Sequence, residues 1–230
     1  MNIQIDERIF EKFPEVHIGV IKLKFNPKSS MNTRDLLTHY ESLASEIHTV
    51  PLLEVGELSL WRETYKILNV KKGIRVSAES LLKRVIKGRE LPSINPLVDI
   101  YNCVSLKYAI PVGGEDLDTV EGDICLTLAE GTETFRTIGS DINEPPEVNE
   151  IIYKDDKGCL CRRWNWREAD RTKITDHTSD AIIVLETLSK EYTNVLQEAI
   201  EHFNELAIQH LNATMKSEIL SANHPIMKLD

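Results

Sequence analysis

Cysteine is scarce in this sequence. Four residues, at 103, 125, 159 and 161 of 230, are too few and too scattered for the disulfide framework that holds small secreted domains together. A reduced, cytoplasmic setting is therefore the expectation. No apolar run nears the ~18 residues needed to span a bilayer; Ala181–Leu185 is typical of the longest. The opening stretch, Met1–Arg8, has no basic segment leading into an apolar one, the mark of a secretory signal. Repeats and low-complexity tracts are also missing, and Pro145-Pro146 reads as a loop rather than a linker. Positive charge is in deficit: 27 Lys and Arg against 37 Asp and Glu leave a net charge of −10. That balance excludes a general nucleic-acid coat or a membrane-surface protein, whose partners are themselves negative, but not a local basic patch.

The familiar catalytic signatures are missing too. There is no G-x-x-x-x-G-K-[ST], G-x-G-x-x-G or G-x-S-x-G, so phosphate-loop, dinucleotide-binding and hydrolase-elbow chemistry lose their sequence support. No H-E-x-x-H occurs; His202 and His210 stand two helical turns apart, where a lone histidine is more often a packing residue than a ligand. Cys159 and Cys161 share a strand face, but a zinc site wants a second pair at C-x₂₋₄-C spacing. Neither a metal nor a cofactor is expected.

What is present is a chain with 41% apolar residues, long enough for a real core. Residues 16–25 are β-rich and end at the Asn26-Pro27 turn signal. After Asn32-Thr33, helical spacing runs through Leu36, Leu37, Tyr40, Leu43, Ala44 and Ile47, and again through Leu58, Trp61, Tyr65 and Leu68. A further helix is predicted over 76–87, closed by Gly88. Leu97–Lys107 runs without Gly or Pro until Pro111-Val-Gly-Gly114 breaks it. Strands are predicted at 124–128, 151–153, 159–166 and 181–185, and a long amphipathic helix over 192–210. The expected fold is α+β: a mixed β-sheet core with flanking helices and a long C-terminal helix. It divides into a strand-and-helix layer (1–70), a core (71–190) and the helix with its tail (191–230), packed as one compact unit.

Three segments can carry chemistry. In Cys161–Glu168, a strand would put Arg163, Asn165 and Arg167 on one face and Arg162, Trp164 and Trp166 on the other. Such residues either build a pocket for a planar or anionic group or form a sheet edge with its arginines paired. In Pro111–Asp118, glycines beside Glu115, Asp116 and Asp118 suit a cation or an amine, although a glycine-rich turn explains them as well. Asn95, Asn102 and Ser105 are either structural hydrogen-bonders or pocket lining. Finally, Lys71, Lys72, Arg75, Lys83, Arg84, Lys87 and Arg89 face only Glu79 in charge, a stripe suited to a phosphate backbone or to simple solvation.

Residues 91–118, with Val98-Asp-Ile-Tyr-Asn102, Pro111 and Asp116-Leu-Asp118, resemble the editing module of the bacterial phenylalanyl-tRNA synthetase beta subunit, its paired third and fourth B domains. Glu150–Asp155 and Arg162–Arg167 resemble free-standing members of that family, and Thr172–Thr178 resembles the synthetase segment after its glycine-rich turn, so that the likeness spans roughly 75–190. Inside the synthetase these modules hydrolyse tyrosine wrongly attached to the phenylalanine tRNA. The resemblance implies a cytoplasmic, trans-acting deacylase with tRNA, and a synthetase, as partners. The alternative is a noncatalytic module that binds tRNA or an amino acid. Gly113 stands where the synthetase carries His, and the Trp/Arg segment replaces its glycine-rich turn. A substrate other than tyrosine follows, such as canavanine. The implied roles are catalytic for Asp116, Glu150 and Asp170, and amino-acid binding for Asn102, Ser105, Arg163, Trp164, Asn165, Trp166, Arg167 and Thr172. The 71–89 cations, with Arg162, would bind tRNA. A synthetase's own catalytic and anticodon-binding domains do not fit in 230 residues.

Overall fold

The computed structural model describes residues 1–48, 51 and 56–229. Chain order is β1 (Asn2–Ile5), α1 (Glu7–Lys12), β2 (His17–Lys24), α2 (Arg34–Ile47), α3 (Gly56–Ile67), α4 (Ser77–Ile86) and α5 (Pro96–Tyr108). It continues with β3 (Val112–Asp116), β4 (Ile124–Leu128), β5 (Ile151–Lys154), β6 (Cys159–Arg162), β7 (Arg167–Glu168), β8 (Asp180–Thr187), α6 (Thr193–Leu211), β9 (Thr214–Leu220) and β10 (Ile226–Lys228). The fold is α+β.

The strands form two sheets. One runs β10-β1-β4-β5-β6-β7, with β1 and β4 parallel and its other pairs antiparallel; the second is antiparallel, in the order β3-β8-β2-β9. The long helix α6 covers the second sheet so closely that a Cβ on Gly19 of β2 would lie 2.6 Å from the Ile200 side chain. Glycine is what this approach requires.

Local chemistry explains the helix limits. Asn95 accepts a hydrogen bond from the Val98 N–H, and Pro96 occupies the first turn of α5, a standard start. Inside α5, Asp99 is fully buried yet satisfied, accepting from Thr33 Oγ1 at 2.8 Å, Ser93 Oγ at 2.6 Å and the Ile94 N–H at 3.0 Å. Its carboxylate ties α2 and the preceding loop to the helix. Just past the end of α4 the chain turns at Gly88, whose φ of +68° suits glycine.

The predicted helices and the strands at 17–24, 124–128, 151–154 and 180–187 are present. Two readings are corrected. Pro111–Asp118 is not a glycine-rich turn but enters strand β3, paired with β8 from Val112 to Asp116. The strand predicted over 159–166 stops at Arg162, because 163–166 form a turn. Within residues 1–70, β1 and β2 are strands of the two sheets, and the tail after α6 supplies β9 and β10. One hydrophobic core runs through all these segments, from Ile3 to Leu229, with a small satellite around Phe135 and Ile152.

Candidate active site

Between the two sheets lies a cavity of about 220 Å³. Ile3, Ile124, Tyr153 and Cys161 line it from the first sheet, and Gly113, Gly114, Glu115, Ile182, Val184 and Glu186 from the second. Trp164, Asn165 and Trp166 of the turn, Arg167 and Glu168 of β7, and Ser77, Thr137 and Ile138 complete its wall. Alternation along β8 explains part of this: Ile182, Val184 and Glu186 face the cavity, while Ile183 and Leu185 between them turn away.

The turn is unusual. Arg163 and Trp164 have φ of +50° and +70°, a region that costs L residues roughly 1–2 kcal/mol each. Neighbours hold them there. The Tyr65 hydroxyl donates to the Arg163 carbonyl at 2.7 Å, the Trp164 N–H to the Ile151 carbonyl at 2.7 Å, and the Ser77 N–H to the Asn165 carbonyl at 3.2 Å. Trp164 is fully buried, edge-on to Trp61 at 5.0 Å and to Phe13 at 5.1 Å. Trp166 carries the Arg167 guanidinium at 4.4 Å and that of Arg163 at 4.9 Å from its ring centre, typical cation–π distances.

Three glutamates face the cavity. Glu186 accepts from the Tyr153 hydroxyl at 2.5 Å and from Asn165 Nδ2 at 2.7 Å. Burial nonetheless pushes its carboxyl up to about 7. Burial of its carboxyl also raises Glu168 to about 7, and the residue lines the cavity. Glu115 is driven well above the ordinary range by burial and then by the neighbouring charge of Glu168. Its Oε2 and the Thr172 hydroxyl are buried without hydrogen bonds. A Cβ at residue 113 would sit 3.2 Å from Glu168 Oε1, so Gly113 leaves that oxygen room. The three carboxylates do not converge as a metal-ligand group. Near neutral pH they form a pocket able to hold an amine or guanidinium, with at least one group that exchanges a proton there.

Of the sequence-predicted residues, Trp164, Asn165, Trp166 and Arg167 line this cavity, and Arg163 adjoins it by stacking. Thr172 lies behind Glu115. Asn102 lines an adjoining groove, and Ser105 is buried in α5, donating to the Ile110 carbonyl at 2.8 Å. The three expected catalytic acids stand apart. Asp116 accepts from Thr178 Oγ1 at 2.5 Å and from the Asp118 N–H at 3.1 Å. Burial pushes Glu150 up, but Arg162 at 2.8 Å and the backbone at Glu147 hold it below its usual range. Asp170 pairs with Lys173 at 2.7 Å in a different surface cavity.

Among the expected tRNA contacts, Arg162 is buried against Glu150 rather than exposed. Lys71, Lys72, Arg75, Arg84, Lys87 and Arg89 are exposed, and Lys83 is half-buried. Arg75 and Lys83 share the buried Glu79 with Arg62, at 3.1, 2.7 and 2.7 Å. The residues that sequence reasoning missed are Glu168, Glu186 and Tyr153. Glu186 carried one signal, an acid that directly follows the apolar run Ala181–Leu185.

Comparison with known proteins adds a frame. The B3/4 domain pattern matches residues 61–210. A phenylalanine–tRNA ligase beta subunit from Psychrobacter arcticus is 35% identical over 93 residues, 40% of this chain and 11% of that protein. The corresponding subunit from Fusobacterium nucleatum is 30% identical over 92 residues, with the same shares. The aligned stretch thus spans about a tenth of these relatives. A solved N-terminal fragment of the phenylalanyl-tRNA synthetase beta subunit from Pyrococcus horikoshii covers 93% of this chain and 49% of its own, at 11% identity and a TM-score of 0.47.

Proposed function

Since the chain belongs to the B3/4 domain family, we propose that it acts in trans as an aminoacyl-tRNA deacylase, cleaving the ester of a mischarged tRNA. The observation that carries this reading is the cavity between the sheets with its three glutamates. At about 220 Å³ it is smaller than the roughly 300 Å³ at which drug-sized pockets begin. An amino-acid side chain suits it; a whole nucleotide does not. Glu186 and Glu115, walled by Trp164 and Tyr153, favour a substrate that brings positive charge, both at its α-ammonium and at its side chain. A nonprotein amino acid of arginine type, such as canavanine, fits this chemistry.

An aminoacyl ester is already activated, so the site needs only an oriented water and a place for the developing negative charge. Glu168, with a carboxyl near 7 on a residue that lines the cavity, takes the proton of that water as it attacks the ester carbon. Glu168 returns that proton to the ribose oxygen as the ester C–O bond breaks, so that the tRNA is released with a free ribose hydroxyl and the amino acid with its carboxyl group. Asn165 keeps Glu186 in place through its amide. The exposed cations from Lys71 to Arg89 supply a surface for the tRNA backbone. A synthetase that mischarges the tRNA is the source of the substrate.

One observation favours the second reading, a noncatalytic binder of tRNA or amino acid: Asp116, Glu150 and Asp170 are all occupied by structural partners. Release of amino acid from a panel of correctly and incorrectly charged tRNAs decides between them. The expected result is hydrolysis of one mischarged species with its cognate spared. For that species Glu168→Gln lowers turnover by roughly 10²–10⁴ with little change in KM. It also abolishes the rise in rate through pH 7 that deprotonation of Glu168 gives the native protein. An intact panel, with tRNA still bound, would establish the binder.

A further inference from the structure

Hydrolysis of an ester needs more than a base. When water adds to the ester carbon, the carbonyl oxygen takes up negative charge, and a hydrogen-bond donor placed in advance stabilises it. The reacting bond also has a defined position. The cavity of about 220 Å³ takes an amino-acid side chain but not a nucleotide, so the ester that joins the two lies at its mouth. Ser77, Val112 and Glu168 mark that mouth, for they line both the cavity and the shallow groove outside it.

Several donors of the cavity are already committed. The Tyr153 hydroxyl and the Asn165 amide both serve Glu186, at 2.5 and 2.7 Å. Arg167 stacks on Trp166, 4.4 Å from its ring centre. Trp164 Nε1 makes no hydrogen bond, but it lies beside Glu186 and away from the mouth. Ser77 is different. Its Oγ is buried at the mouth without a partner, a condition that costs stability unless a ligand or water meets it.

The place of Ser77 in the chain explains the unpaired hydroxyl. A serine inside a helix can turn its hydroxyl back to the carbonyl four residues earlier. Ser77 opens α4, so that carbonyl belongs to Gly73, outside the helix, where it accepts from Arg75 Nη1 at 3.1 Å. The backbone of Ser77 is nevertheless fixed, its N–H donating to the Asn165 carbonyl at 3.2 Å. Helix α4 and the turn at 163–166 thus hold the hydroxyl in position.

From this we infer that Ser77 is a catalytic residue, the donor that binds the oxyanion of the tetrahedral intermediate. The inference rests on the deacylase reading; its own evidence is the unpaired hydroxyl that shares the mouth with Glu168. The water oxygen bonds to the ester carbon as Glu168 takes one of its protons, and an electron pair of the C=O bond moves onto the carbonyl oxygen. Ser77 Oγ–H donates to that oxygen and keeps its proton. As the pair returns, the bond to the ribose oxygen breaks, and the proton on Glu168 passes to that oxygen. Burial keeps Glu115 protonated, so the oxyanion meets no further full negative charge there.

The test measures deacylation kinetics of the full chain on the mischarged tRNA that the panel identifies, together with thermal melting. Ser77→Ala lowers kcat about 10²–10³-fold, the usual loss on removing one oxyanion donor, with KM within about twofold. Its melting temperature equals or exceeds that of the native protein, because a buried unpaired hydroxyl has been removed. Ser77→Thr, which keeps a hydroxyl, recovers at least about tenfold of the lost rate. The rise in rate through pH 7 persists in Ser77→Ala, since Glu168 is untouched. Its disappearance would show that the substitution acts by moving Glu168, and the assignment would fall. A kcat within about threefold of native, or a lower melting temperature with a raised KM, would overturn it too. So would an amino acid found in ester linkage to Ser77 after acid quenching, which makes the serine a nucleophile. An active protein indifferent to Ser77→Ala removes the oxyanion role alone. A native protein that cleaves no ester of the panel removes the deacylase reading, and this inference with it.

Discussion

Glu186 sits on β8 with 1% of its surface exposed, and its two oxygens accept from Tyr153 and Asn165. Because burial outweighs these bonds, its folded-state carboxyl titrates at about 7 against 4.5 unperturbed. The folded protein keeps a proton there that the unfolded chain has already released. Stability from this group is complete below about 4.5 and is lost as the pH rises through 7. A displacement of this size corresponds to about 3 kcal/mol, or a fall in melting temperature of roughly 5–10 °C between pH 4.5 and 8. In Glu186→Gln that fall is shallower, and parallel melting curves for the two proteins across this window would refute the assignment. The isolated acid in Ala181–Leu188 was visible in the sequence, but its companions were not. Glu115, Glu168 and Glu186 lie on three strands, and only the pairing of β3 with β8 and the reversal at 163–166 bring them to one cavity.

The elements differ in how openly they are written. Helices α2, α3, α4 and α6 bury one stripe each, so their spacing is legible. β3 hides because Val-Gly-Gly-Glu-Asp has the composition of a turn; its strand conformation comes from pairing with β8. Its two glycines have different reasons. A Cβ on Gly114 would lie 2.4 Å from Ile183 Cδ1, 2.9 Å from Ile174 Cδ1 and 3.0 Å from the Ile182 carbonyl. Gly114→Ala therefore overpacks the sheet and costs about 1–3 kcal/mol in urea unfolding. Gly113→Ala meets only the flexible end of Glu168, at 3.2 Å. It should leave stability within about 0.5 kcal/mol and slow ester hydrolysis by displacing that carboxylate. Similar unfolding midpoints for both variants would contradict this division. The turn at Arg163 and Trp164 was illegible for another reason. Neither residue favours a left-handed backbone, so alternation along 161–167 pointed to a strand. Tertiary bonds from Tyr65, Ile151 and Ser77 override that preference.

At the scale of the molecule, the first and last described strands close the first sheet together. β10 pairs with β1, the Leu229 N–H donates to the Met1 carbonyl at 3.0 Å, and Lys22 Nζ binds the Leu229 carbonyl. Met227 and Leu229 are buried as deeply as residues of the central strands. Met227→Ala should accordingly cost about 2–5 kcal/mol, read from denaturant midpoints; a loss below about 1 kcal/mol would mean that β10 is an appendage.

The parallel union of β1 with β4 and the position of β2 between β8 and β9 carry one more consequence. The family pattern begins at residue 61, yet the strand bearing Glu186 is held in register by β2, and Ile3 of β1 forms part of the cavity wall. What is inherited as a recognisable stretch is shorter than what must fold to shape the pocket. The chemistry of this chain cannot be moved into another protein as a cassette cut at 61 and 210; the graft would bring the glutamates without the strands that hold their walls together.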